Sequence, residues 1–143
     1  MPYRFLEDVA IADVAFEARG ETLSALFQDA ALAVTNTMVR DVGAIEPRAQ
    51  KNFELEAENP EMLLYRFLQE LIFFKDAELL LFNRFDLDIR PMNGAWRLRA
   101  TVAGEEISPE RHELLADVKA VSFHNFVVEK TPQGWRASVI VDV

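Results

Sequence analysis

Apolar residues recur along this chain in two rhythms, every second residue and every third to fourth. From Ala12 onward, Ala12, Val14, Phe16 and Ala18 fall on one side of an extended segment, and Asp13, Ala15, Glu17 and Arg19 on the other. This predicts a strand over 7–20 that ends in a turn at Gly20. Thr22 can then cap a helix whose Leu23, Leu26, Phe27, Ala30, Val34 and Met38 share one face. The helical pattern fades at Val39–Arg40, and 41–47 is a connection. Residues 48–58 alternate again, with Phe53, Leu55 and Ala57 opposite Asn52, Glu54, Glu56 and Glu58. Asn59-Pro60-Glu61 marks a second helix start, because Asn caps, Pro suits the first turn and an acid favours its positive end. Its stripe is Leu64, Phe67, Leu68 and Leu71, while Leu63, Tyr65 and Phe73 widen the apolar surface, so the helix is central or meets a partner.

After a short apolar run over 77–82, two alternating segments flank Pro91-Met92-Asn93-Gly94 and predict a hairpin. Their outward charges, Asp86 and Asp88 against Arg97 and Arg99, predict cross-strand pairs. Residues 104–115 are irregular, with Ser108-Pro109-Glu110 able to cap one turn. The apolar parity of 117–130 switches partway, as in a bulged strand. Thr131-Pro132-Gln133-Gly134 turns the chain into a final strand over 135–143. The expected fold is α+β: a single domain over 1–143, with two helices on one face of a mixed, mostly antiparallel sheet, a two-layer sandwich.

Composition narrows the function. The formal net charge of −9 makes this chain a poor holder of phosphate backbone, so no strong direct nucleic-acid binding is expected. The acidity suits a metal ion, a basic partner, or solubility alone. Cysteine is absent, which excludes disulfides and thiolate metal sites. The first residues lack a basic-then-apolar signal design, and no apolar run approaches the ~20 residues of a membrane span, so a soluble, cytoplasmic protein is expected.

Asp13 and Asp142 both stand on the polar parity of their strands, and Val143 brings its α-carboxylate one position from Asp142. If the first and last strands are neighbours, these groups converge, and an all-oxygen set suits Ca²⁺, Mg²⁺ or Mn²⁺. By spacing alone the signal is weak, and the two acids read as solvated strand residues. Lys119 fits either a phosphate or carboxylate partner or an edge strand protected by charge. His112 and His124 are the only histidines; Ser122 and His124 share a strand face without an acid partner. No phosphate loop or dinucleotide fingerprint occurs.

Taken in order, Phe5-Leu6-Glu7 leading to Ala12-Asp13-Val14, Thr22-Leu23 with Ala30-Ala31-Leu32-Ala33, the apolar run over 63–78, Pro109-Glu110-Arg111-His112, Val118-Lys119-Ala120-Val121 and the closing Val141-Asp142-Val143 resemble the archease family over nearly the whole chain. The resemblance implies a non-catalytic cofactor of a GTP- and metal-dependent RNA ligase active in tRNA splicing or RNA repair. Such a cofactor promotes guanylylation of the ligase and its multiple turnover. It also implies a divalent cation, Ca²⁺ in family structures, on Asp13, Asp142 and Val143, and a functional role for Lys119. The family's usual opening has His-Thr-Ala-Asp. Here Val9, Ala10, Ile11 and Ala12 precede Asp13, and Asp8 is the nearest polar residue to take the histidine's place. Two other readings remain open: a chaperone or modulator of a tRNA-modifying methyltransferase working through the second helix, and a metal-dependent phosphohydrolase.

Overall fold

The computed structural model describes residues 3–6 and 13–143. Strands β1 (Arg4–Leu6) and β2 (Asp13–Gly20) come first, then helix α1 (Leu23–Met38), a 3-10 turn (Val42–Ala44), β3 (Ala49–Ala57) and helix α2 (Pro60–Glu78). Four strands follow: β4 (Leu80–Met92), β5 (Ala95–Glu106), β6 (Ala120–Thr131) and β7 (Gly134–Asp142). They form two sheets, ordered β1-β2-β7-β6 and β3-β5-β4, and every pairing is antiparallel. The α+β class with two helices is as the sequence predicts; the single mixed sheet is corrected to two antiparallel ones. Alternation shows which side of a strand is buried but not which strand lies beside it, so the division was not readable.

Both helices pack against both sheets, α1 on β2, β7 and β4, and α2 on β6, β3, β4 and β5. This explains their apolar breadth. Only a narrow stripe of α1, including Ala25 and Gln28, stays exposed. Leu63 of α2 is fully buried, and Tyr65 stacks on Phe123 of β6 with ring centroids 3.9 Å apart. Phe27 stacks on Phe67 at 5.8 Å and locks the helices together, while Phe67 also meets Phe53 and Phe85 of the second sheet.

The local signals act as read. Thr22 caps α1 by accepting from the Ala25 amide, and Asn59 caps α2 by accepting from Met62. Leu79 alone links α2 to β4, in the left-handed region with φ 57°. The hairpin turn narrows to Asn93-Gly94, both with positive φ, as a tight primed turn requires. The bulge in β6 lies between Ser122 and Val127, where Asn125 has φ 56°. The predicted charge pairing of the hairpin is redirected. Asp88 does stand opposite Arg99, but Arg99 reaches Glu54 of β3 at 2.8 Å, Asp88 holds Arg90 on its own strand, and Arg97 faces Arg90 and Glu56.

The irregular segment after β5 is tied down by one buried carboxylate. Glu105 accepts from the Glu46 amide at 2.8 Å, meets His112 Nε2 at 3.0 Å and pairs with Arg111. The Ser108 amide donates to His112 Nδ1, which leaves Nε2 to carry the proton toward Glu105. Burial alone would raise the Glu105 pKa; the Glu46 amide, His112 and Arg111 outweigh it and hold the value at about 2. A carboxylate with a depressed folded pKa adds stability above its ordinary value near 4.5 and loses it as pH falls toward about 2. Urea unfolding should therefore show Glu105→Gln destabilised by roughly 3 kcal/mol at neutral pH, with the gap to the parent shrinking on acidification through that window.

Candidate metal centre

Strand β2 is placed beside β7 because each presents a row of apolar side chains to the helices. Phe16 and Ala18 lie opposite Val139 and Ala137, all fully buried. Burial of that face fixes the register, since a slip of one residue would turn the apolar row outward. The same register sets Asp13 directly opposite Asp142. Directly opposed residues share a face with Cβ atoms about 4.5–5.5 Å apart. Both acids are half-buried. Glu17, farther along that face, is neutralised by Arg4, Arg19 and Arg136. Among the described residues, no ion pair includes Asp13 or Asp142.

Lys119 immediately precedes β6. Its amide donates to the Asp142 carbonyl at 2.8 Å, Ala120 is the register partner of Asp142, and the Lys119 side chain is exposed. Val143 follows half-buried. Asp8 lies outside the described residues. Asp13, Asp142, Val143 and the Lys119 backbone are thus brought to one corner of the first sheet. The described residues contain no group of three or more Asp, Glu or His side chains able to hold a metal ion. The fit to a cation therefore rests on two hard side-chain oxygen donors facing each other without a basic partner.

A residue that the sequence reading passed over supports this corner. Lys75 of α2 is buried and reaches Asp117 at 2.6 Å, the Val118 carbonyl at 2.7 Å and Asp76 at 2.5 Å. Burial works against its charge, but the two aspartates prevail and raise its pKa above the ordinary lysine value. Lys75 thereby fixes the backbone immediately before Lys119. The signal was present: Leu64, Leu68, Leu71 and Lys75 lie on one helical face, and a lysine on an apolar stripe needs a buried partner. Of the histidines, His112 belongs to the Glu105 network, and His124 is exposed beside the β6 bulge.

At the other end of the β2–β7 ladder, where Gly20 pairs with Trp135, a cavity of about 640 Å³ opens. It is seven residues from the acidic corner, about 23 Å along the strand. Asp29 of α1 is 5% exposed there, and its Oδ2 accepts the Arg19 amide at 3.1 Å. Burial is the chief reason its pKa rises to about 6, against the lowering effects of that amide and of the chain's α-ammonium.

An α+β domain with two helices shared by two antiparallel sheets, carrying an opposed aspartate pair near its C-terminal end, is the class these features define. The Archease protein family model matches residues 3–143, and the chain belongs to that family. It is 37% identical over 133 residues to Protein archease of Pyrococcus furiosus, covering 92% of this chain and 93% of the relative. It is 34% identical over 142 residues to that of Methanosarcina acetivorans, covering 99% and 95%. The solution structure of Methanobacterium thermoautotrophicum protein 1598 superposes with a TM-score of 0.86 at 36% identity, over 99% of each chain. A Thermotoga maritima archease, described as a possible chaperone, shares the fold with a TM-score of 0.63 at 14% identity, over 98% of each chain.

Two stability measurements follow. In chelator-treated buffer, Asp13→Asn should stabilise the protein by about 0.5 kcal/mol, because it removes a like-charge pair, whereas Asp13→Glu should not. Asp29 behaves oppositely to Glu105. Its folded pKa is raised, so the folded state keeps a proton that the unfolded chain releases, and stability falls as pH rises from about 4 to about 6. Asp29→Asn should thus gain about 1–2 kcal/mol at pH 7, less than the whole shift would give because the cavity admits water, and nearly nothing at pH 4.

Proposed function

We propose that this protein is a non-catalytic, metal-binding cofactor that activates a GTP- and metal-dependent RNA ligase, promoting its guanylylation and repeated turnover. The observation that carries the reading is the register pairing of Asp13 with Asp142, two carboxylates with no basic partner among the described residues, on a chain of the archease family. Like charges so opposed are unfavourable alone and become a cation site when an ion joins them. Asp13 and Asp142 would hold the ion, with the Val143 carboxylate where that residue ends the chain. A bound Ca²⁺, Mg²⁺ or Mn²⁺ would neutralise the pair and offer open positions to oxygen ligands of the partner. Lys119, exposed beside Asp142, supplies a positive charge for a phosphate or an acidic group on the ligase.

The chaperone or methyltransferase reading draws on the apolar breadth of α2, but the two sheets take up most of that surface; Phe73 remains exposed. A phosphohydrolase would need a base near Asp13, and His112 is held by Glu105 instead.

The test is a ligation assay with the cognate ligase, GTP and Mn²⁺. Addition of this protein should raise both the rate of ligase guanylylation and the number of turnovers. Asp142→Asn and Lys119→Ala should each remove at least nine-tenths of that stimulation while keeping the parent's melting behaviour. Unchanged guanylylation and turnover would overturn the reading. A product formed by this protein alone, lost with Asp13→Ala, would favour the hydrolase instead.

A further inference from the structure

The cavity beside Trp135 has no part in the ligase reading, yet it is built like a ligand site. Its volume of about 640 Å³ lies within the range of small-molecule pockets, roughly 300–1,000 Å³. Its floor is a face of α1 on which exposed Ala25, buried Asp29 and half-buried Leu32 succeed each other at helical spacing. The walls are the β2 end, the turn before β7, Tyr3 and Trp135.

Asp29 is the anomaly in this setting. It sits among alanines, leucines and phenylalanines on a helix whose packing would be served by an apolar residue. Its Oδ2 is occupied by the Arg19 amide. Among the described residues Oδ1 has no hydrogen-bond partner, and Asp29 is part of the cavity lining. A buried carboxylate left half-satisfied is costly to keep, and a charged donor is the group that relieves it best.

The charges around the cavity are of both signs, because the Lys130 ammonium stands 5.8 Å over the Trp135 ring and the chain's α-ammonium lowers the Asp29 pKa, so the half-satisfied carboxylate itself selects a cationic ligand. The Arg19 guanidinium is turned to Glu17 at 2.9 Å, so it does not neutralise Asp29. Glu21, exposed in the lining, adds a second negative charge. The Tyr3 hydroxyl donates to Asn36 Oδ1 at 3.0 Å and is not directed at Asp29. Leu32 and the half-buried Trp135 supply apolar surface larger than a hydrated inorganic ion could use.

We propose that this cavity binds a small organic cation, an ammonium or amidinium group on a flat apolar body, with its charge against Asp29 Oδ1 and its body against Leu32 and Trp135. A ligand that fills the cavity displaces its water, and the charge-assisted hydrogen bond then counts for more than in water. The body gains from burial against the indole and the leucine.

Benzamidine is a suitable probe, and benzamide is its neutral counterpart of the same shape. Titrated into the isotopically labelled full chain, benzamidine should move the amide signals of Arg19 and Leu32 and the Trp135 indole signal saturably. The Trp96 indole, in the second sheet, should not move. Benzamide should bind at least tenfold more weakly. Asp29→Asn, which keeps an acceptor for the Arg19 amide, should retain the backbone spectrum, weaken benzamidine at least tenfold and leave benzamide unchanged. Ala25→Phe, on the exposed stripe, should fill the cavity and abolish binding of both. Equal affinity for the two probes, undiminished benzamidine binding by Asp29→Asn, or no saturable shift in the parent would overturn the proposal. None of these outcomes depends on the ligase assay.

Discussion

The antiparallel pairing of β2 with β7 is the constraint on which the rest of the molecule depends. It runs from Asp13 opposite Asp142 to Gly20 opposite Trp135 without a shift in register. Burial of Phe16, Ala18, Ala137, Val139 and Val141 beneath the helices fixes that register. Two consequences follow at opposite ends. At one, acids far apart in sequence are forced together. At the other, Gly20 and Gly134 allow the chain to pass close to the start of α1: a Cβ on Gly20 would lie 2.3 Å from the Leu26 amide nitrogen, and one on Gly134 2.4 Å from the Gly20 carbonyl. That close approach sets the wall of the cavity over Asp29.

The third strand of the acidic corner is held from the helix side. β6 lies at the end of its sheet, where unpaired backbone groups invite pairing with another chain. Polar side chains of α2 meet several of them: Gln69 accepts from the Val121 amide at 2.8 Å, Glu61 from the Val128 amide at 3.3 Å, and Lys75 donates to the Val118 carbonyl. The strand that carries Lys119 to Asp142 is therefore positioned by one helix through specific hydrogen bonds as well as by its ladder to β7. On the other side of α1, the Glu105 network and the backbone bonds of Leu115 and Ala116 to the end of that helix fix the path into β6.

Much of this was legible in the sequence, because the signals are local. Thr22 and Asn59 announced their helices, the parity switch within 117–130 announced the bulge, and Pro91-Met92-Asn93-Gly94 announced the hairpin. The partition into two sheets was not legible, since Phe53 and Phe16 alternate alike although they belong to different sheets. β1 was missed because three residues are too few to establish a period. Asp13 and Asp142 were singled out by their parity, but their opposition depends on a tertiary pairing that sequence could state only conditionally. Lys75 and Asp29 escaped notice because each is a charge inside an apolar pattern, and Glu105 because it stands in an irregular polar stretch; only their partners reveal why they are buried.

Membership in the archease family and the opposed aspartates support one account, in which the acidic corner is a cation site and Lys119 works beside it. Manganese tests its central claim most directly, because the paramagnetic ion broadens the signals of nearby nuclei. On adding substoichiometric Mn²⁺ to the labelled full chain, the account predicts selective loss of the amide signals of Val14, Val141 and Lys119, reversed by excess Ca²⁺ and absent in Asp142→Asn. Broadening centred on another acidic stretch, such as Asp86 and Asp88, with the Val14 and Val141 signals left sharp, would contradict it.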